Sequence, residues 1–127
     1  INIISDKLEI IRAENISIFS GNVYAKEDNL EIWSEKLIMI SNKDESEIKE
    51  INAHGRVKIV REDLSINGDR ARYDPIQNKL FVFGKVEVLE NQSIVLCDKI
   101  VMDLENSSSI MSSDSNKRVE ALIINEK

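Results

Sequence analysis

Apolar and polar residues alternate with a period of two along most of this chain, and at three places the alternation runs through a Gly-x-Val triplet. Phe19, Gly21, Val23 and Ala25 share one parity, as do Ala53, Gly55, Val57 and Ile59, and again Val82, Gly84, Val86 and Val88. That period belongs to β-strands, whose successive side chains point to opposite faces. Leu30, Ile32 and Ser34, with Leu64, Ile66 and Gly68, continue the same inward parity. The apolar face then slips by one residue, to Leu37 and Met39, Ala71 and Tyr73, and Ile100 and Met102. Such a slip predicts a β-bulge or corner in each strand. Trp33 and the run from Ile94 to Leu96 fit neither parity. Few windows hold a helical stripe beyond two turns, whereas Val, Ile and aromatic residues fill the alternating runs. Turn-forming clusters separate those runs at residues 27–29, 42–45, 61–63, 75–78 and 90–92.

The slips occur at a repeated acid–base pair: Asp6-Lys7, Glu35-Lys36, Asp69-Arg70 and Asp98-Lys99. The acidic positions are 29, 34 and 29 residues apart, and Gly21 to Gly84, Glu35 to Asp98 and Asp6 to Asp69 are each separated by 63. Two half-units of unequal length therefore make one double unit. Each pair is expected at a bend, with its charges at an edge or in solvent. The polar stretch 106–117 is read as an enlarged, mobile loop. The segment from Val119 resembles the approach to another glycine, but no new Gly-x-Val follows, so the last unit reads as cut short or built to meet something else.

Length and composition fit one domain spanning 1–127: 127 residues, 42% hydrophobic and 31% charged, with one Pro and four Gly. The expected fold is all-β, with short antiparallel strands stacked along one axis; repetition favours an open two-sheet roll over a closed barrel. Open ends expose strand edges, so end-to-end self-association is the physical default. A net charge of −6 and scattered basic residues argue against nucleic acid as a partner. No apolar run is long enough for a membrane-spanning helix. The start at Ile1, without Met or a basic-then-apolar leader, reads as a processed or trimmed end.

Candidate chemistry is sparse. His54 is the only histidine, too few for a histidine-based metal cluster, and it is expected on the outer strand face. Cys97, the only cysteine, occupies the small-residue slot shared with Ser34 and Gly68, which predicts packing rather than nucleophilic work. The recurring carboxylates read as structural corners before they read as acid–base catalysts or calcium ligands. The Gly-x-Val triplets lack phosphate-cradling spacing. No catalytic residue, metal or cofactor is expected, and an enzyme reading would have to rest on His54 or one of the acids. Phe19, Met39, Tyr73 and Met102 could fill a core or line a groove.

The segments Phe19-Ser20-Gly21-Asn22-Val23, Ala53-His54-Gly55-Arg56-Val57, Gly68-Asp69-Arg70-Ala71-Arg72-Tyr73 and Phe83-Gly84-Lys85-Val86 together resemble the OstA-like domain of the LptA/OstA family, over nearly the whole chain. The resemblance implies a twisted, open β-jellyroll of antiparallel strands. It also implies a periplasmic lipopolysaccharide carrier of Gram-negative bacteria that joins itself head-to-tail into a bridge from inner-membrane LptC-like to outer-membrane LptD-like proteins, holding lipid A acyl chains in an apolar groove. On that reading the lipid-contacting inner face comprises Phe19, Val23, Ile32, Leu37, Met39, Val57, Ile66, Tyr73, Val86, Ile100 and Met102. An LptC-like domain or LptD N-terminal domain of the same pathway shares the roll. A reading from another class is a bactofilin-like, self-assembling β filament without lipid binding.

Overall fold

The structure, a computed structural model, describes residues 1–44 and 46–124. Its described residues form ten strands and a single 3₁₀ turn, Arg12–Glu14. The strands are β1 (Asn2–Ile4), β2 (Lys7–Ile11), β3 (Ile16–Glu27), β4 (Leu30–Ser41), β5 (Ile48–Arg61), β6 (Leu64–Asp74), β7 (Lys79–Glu90), β8 (Ser93–Asp103), β9 (Ser108–Ser112) and β10 (Glu120–Leu122). All pairings are antiparallel, and from β3 to β8 each strand pairs with the next. β1 and β2 share β3 as neighbour, and β9 and β10 share β8. The two ends of the sheet do not pair with each other, so the fold is an unclosed, twisted β-jellyroll.

Every long ladder breaks register at the repeated motif: between Ser20 and Val23, Trp33 and Lys36, His54 and Val57, Asn67 and Arg70, and Phe83 and Val86. At these breaks Gly21, Gly55 and Gly84 have φ of +82° to +84°, and the following Asn22, Arg56 and Lys85 also have positive φ. The ladder shifts there, yet the alternation expected through the triplets holds: Phe19, Val23 and Ala25, Ala53, Val57 and Ile59, and Val82, Val86 and Val88 are all buried. Two successive left-handed residues add the extra step that turns the strand. The acid of the preceding strand lies over the glycine: a Cβ at Gly21 would stand 2.6 Å from Asp6 Oδ2, and one at Gly55 2.8 Å from Glu35 Oε2. Asp69 crowds Gly84 in the same way.

The neighbouring small slot has its own reason. Ser34 is buried and donates to the Lys36 carbonyl at 3.1 Å, Ser5 does the same to Lys7 at 3.0 Å, and a Cβ at Gly68 would meet Val82 Cγ1 at 2.5 Å. Cys97 fills the last slot, buried as expected, and burial raises its thiol pKa. Beyond each corner the apolar parity resumes one residue out of step, because both members of a pair such as Glu35 and Lys36 are exposed.

Bending brings two inner faces together over one core. Leu37, Ile51, Ile59, Ile66, Leu80, Ile100, Val23, Val57, Val82 and Val86 are each less than 2% exposed. Each such side chain contributes about 1.5–3 kcal/mol of transfer free energy. Two-residue turns at Asp28-Asn29, Glu62-Asp63 and Asn91-Gln92 close three hairpins, with positive φ at Asp28, Glu62 and Asn91. At the opposite strand ends Asp74 Oδ1 accepts from the Ile76 and Gln77 amides, and Asp103 Oδ1 accepts from those of Glu105 and Asn106. Of the turn expected at 42–45, Glu45 lies outside the described residues.

One expectation is overturned. Residues 106–117 are not a single enlarged loop, since Ser108–Ser112 forms β9 against Lys99–Asp103. A serine-rich segment satisfies its backbone on β8 while its serine side chains stay exposed, which an edge strand allows. The extra residues sit instead between β9 and β10, at 113–119, beside the corner of β8. Trp33 and the run from Ile94 to Leu96 also find places. Trp33 is on the outer face, 5.1 Å from the Tyr24 ring, and Val95 packs on the core while Leu96 is exposed.

Candidate functional site

The two halves of the bent sheet meet along an apolar trough. Its distal lips approach closely, since Arg61, at the end of β5, donates from Nη2 to the Leu104 carbonyl at 2.9 Å. Tyr73 of β6 sits on the opposite lip. Burial, foremost, and then the charges of Glu27, Asp28 and Asp74 raise its pKa. Glu27 and Asp28 belong to the facing β3–β4 hairpin, so that influence is exerted across the trough.

The eleven inner-face residues all belong to this interior, but to two zones of it. Val23, Leu37, Val57, Ile66, Val86 and Ile100 are at most 1% exposed and form the packed floor, with Ile32, Met102 and Phe19 nearly as enclosed. Met39 and Tyr73 are half-buried against the core and lie nearer the surface.

Open space lies toward the C-terminal end. A groove of about 430 Å³ is lined by Leu64, Val88, Val95, Ile100, Met102 and Met111, under a polar rim that includes Arg61, Asp63, Glu90 and Ser109. That volume lies within the range of small-molecule sites. Ile100 and Met102 are the two expected contact residues that line it. Leu64 and Val88 carried the inward parity in the sequence without being assigned to the site. Val95 lay in the run that fitted no parity, and Met111 in the stretch read as loop; only the β8–β9 pairing places it opposite Ile100.

The inner wall of the trough is apolar beneath its polar rim, with Met as the adaptable component. His54 is exposed on the outer face. Among the described residues no cluster of His, Cys, Asp and Glu has the geometry to hold a metal ion, and no helix is long and apolar enough to cross a membrane. The arrangement can enclose hydrocarbon and leave polar attachments at the rim.

A family model described as LptA/(LptD N-terminal domain) LPS transport protein matches residues 2–108. Among solved structures the chain is similar to LptH of Pseudomonas aeruginosa, described as the LptA-homologous periplasmic component of the conserved lipopolysaccharide transport device. The TM-score is 0.87, over 98% of this chain and 94% of that one, at 12% sequence identity. At that identity the likeness speaks for the fold. No curated protein sequence matches the chain.

Proposed function

Because the chain belongs to the family of LptA and LptD N-terminal-domain lipopolysaccharide transport proteins, we propose that it is a periplasmic lipopolysaccharide carrier whose trough shields acyl chains in transit. The groove lined by Leu64, Val88, Val95, Ile100, Met102 and Met111 carries this reading. Each buried CH₂ is worth roughly 0.8 kcal/mol, so hiding a chain of about a dozen carbons offsets on the order of 10 kcal/mol. The sealed floor residues from Val23 to Val86 hold the shape, and Met102, Met111, Met39 and Tyr73 yield to the lipid.

The carrier works as one link of a bridge. Ile4, Leu8 and Ile10 are exposed on the β1–β2 edge, and Ile110, Leu122 and Ile123 at the β9–β10 edge. Open, apolar edges at opposite ends of one sheet favour strand addition between copies. Head-to-tail copies, closed by LptC-like and LptD-like partners at either membrane, would join their troughs.

A photo-crosslinker at Met111 or Tyr73 tests the site. Adducts with lipid A in cells, and capture of detergent-free lipid A in vitro, are expected. A chain that assembles into filaments without capturing lipid A would replace this reading with a structural one.

A further inference from the structure

The basic member of each acid–base pair has no part in the trough. Cross-strand register places Lys7, Lys36, Arg70 and Lys99 in one row over the outer face, with Ser20, His54 and Phe83 on the strands between them. Cations on alternate strands of one row stand about 10 Å apart. All four are exposed, and among the described residues none forms an ion pair. Their acidic neighbours are engaged elsewhere. Asp6 accepts from Asn22, Glu35 pairs with Arg56, Asp69 packs on Gly84, and Asp98 accepts from the Asp114 amide and meets Lys117.

The adjacent outer row is apolar: Ile18, Ile38, Phe81, Val101 and Ile110, interrupted by Asn52 and Arg72. Arg72 is neutralised by Glu50 at 3.1 Å. Over β6 to β9 the rows form one amphipathic patch. Phe81 and Phe83 lie parallel at 6.4 Å, Arg70 and Lys99 sit 5.0 and 5.6 Å from the Phe83 ring, and Ile110 is 73% exposed. Beside them a depression of about 450 Å³ is lined by Arg70, Lys85, Lys99 and Lys117, together with Asp69, Asp98 and Asp114. Among the described residues no other layer of the fold covers this face.

We infer that the outer face of β6 to β9 is a docking surface for an anionic lipid bilayer. Charge complementarity selects the occupant: an acidic protein of net charge −6 presents here unpaired cations, flanked by aromatic and aliphatic side chains at the height where headgroups meet acyl chains. Sheet twist limits flat contact to three or four strands. Arg70, Lys99, Phe81 and Ile110 therefore dominate, and Lys7, at the far edge, contributes little. Docking by this face leaves the trough and the β1–β2 edge free and meets the β9–β10 edge only through Ile110, so it goes beyond lipid carriage.

Co-sedimentation of the chain with vesicles of mixed phosphatidylcholine and phosphatidylglycerol, and of phosphatidylcholine alone, tests the inference. Binding is expected to the anionic vesicles only, to weaken with added salt, and to fall at least about tenfold in R70E/K99E, while K7E changes it little. R70Q/K99Q, with circular dichroism, guards against misfolding and is expected to show an intermediate loss. Lipid A capture is expected to survive in R70E/K99E, which separates this surface from the trough. Equal binding to both vesicle types, no binding to either, or binding to soluble heparin but not to anionic vesicles would overturn the proposal.

Discussion

Glu35 of β4 lies across Gly55 of β5 so closely that a Cβ on Gly55 would stand 2.9 Å from the Glu35 Cβ. With φ at +84°, Gly55 is held in the left-handed region as well as crowded. The left-handed conformation costs an L-residue roughly 1–2 kcal/mol, and the forced contact adds to it. Gly55→Ala is expected to destabilise the fold by about 2–4 kcal/mol in urea unfolding. In Glu35→Gly/Gly55→Ala the contact is relieved, and measured against Glu35→Gly alone only the conformational part should remain. The Glu35–Arg56 ion pair, at 3.3 Å between exposed side chains, contributes little to either number. Equal destabilisation in the single and double variants would place the whole cost in the backbone.

The two zones of the trough predict two phenotypes. Val57 is 1% exposed, so Val57→Asp buries an unpaired carboxylate and is expected to abolish cooperative folding. Met111 is half-buried at the groove's edge, so Met111→Asp should leave the melting temperature within a few degrees of wild type and cut lipid A capture at least about tenfold, the equivalent of 1.4 kcal/mol. Met102→Asp, at 5% exposure, should impair both. Unchanged capture by folded Met111→Asp would remove this end of the trough from the lipid path.

Both tyrosines have pKa values above the ordinary phenol: Tyr24 through its hydrogen bond to Glu31, and Tyr73 through burial and the acidic hairpin opposite. The fold favours the neutral phenol in each case. The associated stability is therefore complete below about pH 10, the ordinary phenol value, and is lost as pH rises through the elevated values. Absorbance titration should show late phenolate formation that returns to normal in denaturant. Tyr73→Phe should flatten the alkaline loss of stability, and Tyr73 ionising as a free phenol would contradict the cross-trough proximity.

The repeat motif made the architecture legible. Gly-x-Val and the acid–base pair encode the corner directly, because a left-handed pair and a crowding carboxylate are local requirements. Inner-face parity likewise placed Val23, Leu37, Val57, Ile66 and Val86 in the core. Parity cannot separate packed floor from open groove, because both are apolar and inward; that distinction depends on how strands diverge at the end of the roll. Leu64 and Val88 therefore went unassigned. Met111 was hidden for another reason, since its strand is rich in serine and owes its form to pairing with β8 rather than to its own propensity. The contiguous cationic row is also absent from the linear sequence, where its members lie about thirty residues apart and only register aligns them.

Asp98 meets its corner differently from the earlier acids. At the earlier corners the acid meets a glycine of the next strand, but β8 is followed by no Gly-x-Val, and the residues between β9 and β10 take that place: the Asp114 amide donates to Asp98 Oδ2 at 2.9 Å, and Lys117 Nζ lies 3.8 Å from Oδ1. A turn from Asp114 to Lys117, closed at 3.0 Å, thus substitutes for the missing glycine. Its anchor is one carboxylate, so Asp98→Ala should release 113–119 without disturbing the core, at a cost of about 1–2 kcal/mol. Trypsin should then cut faster after Lys117 and Arg118, while urea unfolding of the remaining sheet shifts only slightly. Cys97, adjacent and buried, should stay slow toward thiol reagents in wild type and react faster in the variant as its cover loosens. Protease resistance equal to wild type would mean that β9 and β10 hold the connection on their own.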